Sequence, residues 1–377
     1  MDQTVEIDSR EIDKRKHTIT RIWEHKKVNH IPISVWMDDF STSTLREQCE
    51  DGRLQFDVMV KNINRCLKCL PDDYIPYVRI WPGYMTIATM FGMAVHWSDD
   101  PNQAPGADGY LIDDMNEVYN MVLPDPVHDG LMPHNLQWLD YANRHMPKTV
   151  HLTGIDLGGP LNTVKDLIDT NLMYTAFIDT PDAMRYFLDM VTELQIRCNR
   201  EIIKAAGGLE RLTCTDFDPI WAPPMNKGFV SDDVCASLSP SMFEEFSIPY
   251  NNRIIAGFNG ARIHNCGPNP SAYLYPEHTV DVMGLNCSFK YSKDDLHRLK
   301  EAFGGRGFIE FNFDNEETPE EIVSGYEQIA NTLSPDTVAL PLLFLNETWT
   351  DDNIRAVYTD LRKISEHYAE EIIWNEE

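Results

Sequence analysis

Eight short apolar runs recur along this chain with amphipathic helix patterns between them, and that alternation limits its possible folds more than any other feature. The runs are Ile31–Trp36, Tyr77–Trp81, Thr149–Ile155, Arg211–Thr215, Ala261–Asn265, Val280–Asn286, Gly307–Asn312 and Thr337–Leu345. They are rich in Val, Ile, Leu and Phe, as strands covered by helices on their outer face are. The intervening helix patterns include Pro181–Ala206, Ser239–Ala256, Lys293–Phe303 and Pro319–Leu333. Thr180, Ser239 and Thr318 each precede a proline, the combination that starts a helix. Alternation of this kind predicts an α/β fold, a single (β/α)8 TIM barrel running over residues 1–377. Residues 1–30 read as an N-terminal helical extension, and residues 91–146 as an insertion over the barrel mouth.

Charge removes several functions from consideration. Thirty-two Lys and Arg against sixty Asp and Glu give a net charge of −28. A nucleic-acid backbone needs a basic footprint, and an anionic lipid surface would repel this chain. No stretch approaches the roughly 18 apolar residues of a membrane span. The opening MDQTVEIDSR is acidic rather than a signal peptide. Eight cysteines are scattered along the chain instead of framing a small domain, so we expect reduced thiols and a cytoplasmic protein.

In a barrel, chemistry belongs at the C-terminal ends of the strands. Those ends carry Asp38, Asp39, Asp156, Asp216, Asp218, His264, Cys266, Asn286, Glu310, Asn312, Asn346 and Glu347. Some of these acids will cap the helices that follow. The sharpest local feature is Ala261-Arg-Ile-His264-Asn-Cys266-Gly-Pro268. His264 and Cys266 fall on one face of a strand, and imidazole and thiolate are the ligand types zinc prefers. The plainer alternative is a buried histidine beside a small apolar cysteine. Glu310, Asp216 and Asp218 are the candidate proton-transfer acids; Trp36, Asp38, Trp81, Asn286 and Asn312 are the candidate substrate contacts. Cys66-Leu-Lys-Cys69 is a lone CxxC on a helix pattern, most simply two unrelated cysteines. Glycine-rich nucleotide loops, a GxSxG elbow and HExxH are all missing.

The order of motifs resembles the uroporphyrinogen decarboxylase superfamily. Arg15–Trp36, an amphipathic helix running into Ile-Pro-Ile, is similar to the family's opening. Gly159-Pro-Leu-Asn-Thr, SPSMFEEFSIPY at Ser239–Tyr250, His264-Asn-Cys-Gly and Thr318-Pro-Glu-Glu-Ile322 follow in the family's order. The resemblance implies the same barrel and two activities. True uroporphyrinogen decarboxylases carry an arginine-rich loop after the first strand, whereas this chain has Trp36-Met-Asp38-Asp39-Phe40, which would repel a polycarboxylate. The cobalamin-dependent methyltransferase branch holds zinc by a His-x-Cys and a later cysteine on the last strand. His264 and Cys266 match the first part; the later cysteine is missing near Leu343–Leu345, and Glu347 and Glu310 are the leading substitutes, with Asn346 and Asp218 the further candidates. The resemblance therefore implies a zinc-assisted demethylating methyltransferase. It would pass methyl from a small methoxylated or methylated donor to a corrinoid carried by a separate protein, since the chain has no corrinoid-binding Asp-x-His-x-x-Gly of its own. A metal-free decarboxylase or lyase acting on a small carboxylate is the alternative.

Overall fold

The computed structural model describes residue 5 and residues 7–376. Ten strands alternate with helices: β1 (Ser34–Met37), β2 (Tyr77–Val78), β3 (Val95–His96), β4 (Gly106–Ala107), β5 (His151–Leu152), β6 (Gly228–Ser231), β7 (Gly260–His264), β8 (Val282–Ser288), β9 (Gly307–Phe313) and β10 (Val338–Leu345). Six of them form one curled parallel sheet in the order β1-β10-β9-β8-β7-β6. β2 and β5 make a second parallel pair, while β3 and β4 form an antiparallel pair within the 91–146 segment. The result is a half-barrel plus a separate pair, not one continuous ladder of eight strands.

The break has a local cause. Arg211–Thr215, the expected fourth strand, is not a strand; only Leu212 bridges Leu152. The segment meets its neighbours at single points, Thr213 N–H donating to the Leu152 carbonyl at 2.7 Å and Thr215 N–H to the Lys227 carbonyl at 2.9 Å, while the turn that follows takes the Thr213 carbonyl. Thr213 Oγ1 donates to the Asp218 carbonyl at 2.7 Å, Ala222 N–H to the Thr213 carbonyl at 3.0 Å, and Ile220 N–H to Asp218 Oδ1 at 2.7 Å. The place beside β7 goes instead to Gly228–Ser231, which periodicity did not single out.

The helices follow their sequence signals more closely. Thr318 closes a capping box with Glu321 at the start of Pro319–Leu333, and the Ser239 side chain accepts from Met242 N–H. Thr180 stands at the N-cap of Pro181–Ala205 without capping it through its side chain. The expected helix over Ser239–Ala256 splits at Ser247, before Pro249, into Pro240–Phe246 and Ile248–Ile254. The first helix, Ser9–Trp23, sets Trp23 edge-on to Phe308, ring centroids 4.7 Å apart. Cys66 and Cys69 lie buried on the helix Gly52–Cys69 as free thiols. Among the described residues no helix is long and apolar enough to cross a membrane.

Candidate functional site

The strand ends open into a cavity of about 860 Å3. Register aligns Ser231, His264, Asn286 and Glu310 in one row across β6 to β9. Two residues beyond β6, Asp233 reaches the end of β7. His264 Nε2 lies 3.2 Å from Cys266 Sγ and 3.5 Å from Asp233 Oδ1, and all three ligand-type groups fall within 4.8 Å of one another. Asp233 is held in place: Cys266 N–H donates to its Oδ1 at 2.8 Å, and Asn162 Nδ2 donates to its Oδ2 at 2.9 Å. Gly267, at φ +109°, turns the chain just past Cys266; a side chain there would be strained and would meet Ser292 Oγ. Cys266 is the one exposed cysteine among the described residues.

These three donors fit a zinc ion. With Zn–N and Zn–S bonds of about 2.0 and 2.3 Å, tetrahedral ligands stand roughly 3.5 Å apart, close to the spacings found. The histidine is also presented correctly. Asn286 Nδ2 donates to Asp218 Oδ2 at 2.9 Å, so its Oδ1 is the atom that faces His264 Nδ1 at 2.6 Å. A carbonyl oxygen only accepts, so the neutral ring carries its proton on Nδ1 and would offer the Nε2 lone pair to a metal between Cys266 and Asp233. With no metal bound, burial opposes a charge on His264, but Cys266 and Asp233 outweigh it and raise its pKa well above the ordinary value. Burial likewise works to raise Asp233, yet His264 and the Cys266 N–H bring it below the usual carboxylate range.

Beneath this row lies a layer that the sequence reading placed in the cavity. Arg262 is fully buried, with Nη1 2.6 Å from Glu310 Oε1 and 3.0 Å from Asp218 Oδ1. Gly284 leaves the room it needs, since a Cβ there would stand 2.9 Å from Arg262 Cγ. Glu310 and Asp218 are thus the partners of a buried cation and do not line the cavity. Burial pushes Glu310 up to about 8 despite Arg262. Asp216 is also buried off the cavity wall; burial first, then the charge of Asp156, raises it well above the carboxylate range. All three expected proton-transfer acids are therefore displaced from the substrate space. Glu347 is displaced too: its Oε2 accepts from Phe40 N–H at 3.2 Å, and it is not among the groups around His264.

Trp36, Asp38, Trp81 and Asn312 do line the cavity, whereas Asn286 stands behind His264. Arg79 was missed. Its guanidinium pairs with Asp38 and lies 3.9 Å above the Trp36 ring. Asp156, also on the wall, accepts from Gly158 N–H and Trp81 Nε1, and burial pushes it up to about 6. Asp233 escaped notice because its strand did; the signal was Gly-Phe-Val-Ser running straight into two acids.

Residues 14–223 match the uroporphyrinogen decarboxylase (URO-D) family. No curated protein matches the sequence. Among solved structures, a methyltransferase from Methanosarcina mazei superposes with a TM-score of 0.68 at 15% identity, covering 93% of this chain and 98% of its own. A putative vitamin-B12 independent methionine synthase from Listeria monocytogenes gives a TM-score of 0.44 at 11% identity, covering 92% and 97%.

Proposed function

Because the chain belongs to the uroporphyrinogen decarboxylase family, we propose that it is a demethylating methyltransferase of that family, moving a methyl group from a small methoxylated or methylated donor to a corrinoid on a separate protein. The observation that carries this reading is the His264–Cys266–Asp233 cluster on the wall of a large cavity, with the histidine tautomer set by Asn286. These residues would hold a zinc ion, which when bound supplies Lewis acidity to an ether or alcohol oxygen. Asp233 takes the place the sequence reading gave to Glu347.

The chain's own residues divide the rest of the work. Asn286, fixed by Asp218, keeps the His264 proton on Nδ1. Asp156 faces the cavity with a carboxyl raised towards neutrality, so it can hand a proton to the oxygen that loses its methyl group. That role passes to it from Glu310, Asp216 and Asp218. Trp36, Trp81 and Phe217 form flat walls for the donor.

The test is metal analysis of protein purified without chelator, joined to a spectrophotometric assay of methyl transfer to free cob(I)alamin from a panel of methoxylated compounds. Stoichiometric zinc and turnover lost in Cys266→Ala are expected. Metal-free protein that releases carbon dioxide from a small carboxylate would move the reading to the decarboxylase alternative.

A further inference from the structure

The Gly159-Pro-Leu-Asn-Thr163 run opens the helix Pro160–Leu167, and that helix begins hard against β6. A Cβ at Gly159 would stand 1.8 Å from the Ser231 carbonyl oxygen, so only glycine permits this approach. From behind, Gln195 Nε2 donates to Thr163 Oγ1 and to the Leu157 carbonyl, both at 2.9 Å, and ties the turn to the buried helix Pro181–Ala205. Asn162, in the first helical turn, is thereby carried to the end of β6.

Its amide has one arrangement. A backbone N–H only donates, so the atom facing Val234 N–H at 3.2 Å is Oδ1, and Nδ2 turns the other way. One Nδ2 hydrogen goes to Asp233 Oδ2 at 2.9 Å and the other to Ser231 Oγ at 3.3 Å. Ser231 Oγ in turn donates to the same Oδ2 at 3.3 Å. A carboxylate oxygen has two lone pairs, and both of those on Oδ2 are then taken. Oδ1 is the oxygen that faces His264 Nε2, at 3.5 Å, and accepts from Cys266 N–H.

We infer that Asn162 is a positioning residue that makes Asp233 a one-oxygen ligand and so keeps the fourth place on a bound metal open to the cavity. The inference rests on the zinc reading of the His264–Cys266–Asp233 cluster. A carboxylate with both oxygens free can close on an ion and take two places. With Oδ2 held by Asn162 and Ser231, three protein bonds and one open position remain, the arrangement of a catalytic rather than a structural site.

The experiment is cobalt(II) loading of the full chain under nitrogen, read by visible absorption, since tetrahedral cobalt absorbs far more strongly than five-coordinate cobalt. Wild type should give the intense tetrahedral bands. In Asn162→Ala the freed Oδ2 should join the ion, weakening the bands about twofold or more as coordination rises to five. A purely structural role for Asn162 would not move this spectrum in a variant that circular dichroism shows to be folded. Should Asn162→Ala not fold, Ser231→Ala removes only the weaker donor and should shift the bands in the same direction by less. Bands of unchanged intensity, or a folded variant that takes up no cobalt, overturn the inference and leave the zinc reading standing. Wild-type protein that takes up neither cobalt nor zinc overturns both.

Discussion

Replacing Asn286 with alanine tests the link between the buried layer and the candidate metal centre. The change removes an acceptor 2.6 Å from His264 Nδ1 and a donor 2.9 Å from Asp218 Oδ2, both in fully buried surroundings. Hydrogen bonds to charged partners are each worth about 1.5–3 kcal/mol, and non-additivity makes a loss of about 2–4 kcal/mol in urea unfolding the expected result. Zinc affinity is a separate quantity. Losing the partner that orients a ligating histidine costs about 10–100-fold, or roughly 1.4–2.8 kcal/mol. Competition for zinc against a chromophoric chelator, run where circular dichroism shows the variant folded, reads this directly. Asn286→Asp divides the two roles: it keeps an acceptor for Nδ1–H but sets a new carboxylate against Asp218, so it should retain more zinc affinity while losing stability. Zinc affinity in the alanine variant within about twofold of wild type would refute the orienting role.

Asp233→Asn should lower zinc content while Glu347→Gln leaves it unchanged, as measured by elemental analysis; the reverse pattern restores the ligand set expected from sequence. Arg262→Met leaves Asp218 and Glu310 buried without their cation and should cost about 3–5 kcal/mol. The loss should be greater at pH 8 than at pH 6. Glu310 is raised to about 8 in the folded chain, which therefore holds a proton the unfolded chain has released, and stability falls as pH rises through that range. Without Arg262 that proton is held still more tightly, so equal losses at both pH values would contradict the assignment. Lys227, fully buried and donating to the Leu212 carbonyl, is pushed down by burial to about 7. The unfolded chain then binds more protons between pH 7 and 10, so stability should rise with pH there; Lys227→Met should flatten that rise in urea titrations.

Much of the architecture was legible because it depends on short-range rules. Apolar runs at Ala261–Asn265, Val280–Asn286, Gly307–Asn312 and Thr337–Leu345 overlap β7 to β10, since strands buried on both faces have little compositional freedom. Thr318-Pro-Glu-Glu announces its helix by a cap that uses only neighbouring residues. His264 and Cys266 share a site although β7 ends at His264: Cys266 lies two residues past the strand, where its N–H on Asp233 and the turn at Gly267 hold it beside the imidazole. The fourth strand failed for the opposite reason. Composition does not separate the two segments, since Arg211–Thr215 carries two apolar residues of five and Gly228–Ser231 two of four; Gly228–Ser231 has the partner in β7, and strand formation follows pairing more than composition.

By itself the sequence determined the α/β alternation, the His-x-Cys pair and the net negative charge, because each follows from local spacing or from summed charge. Only the tertiary structure decided which acids meet that pair. Arg262, a charge inside an apolar strand, was the available clue that some acids are internal counter-ions, since a buried charge must be paired. It draws Glu310 and Asp218 away from the cavity, while β6 delivers Asp233 from about thirty residues upstream of His264. Which carboxylate stands beside a ligand pair depends on contacts between strands distant in the chain, and no periodicity within a strand encodes them.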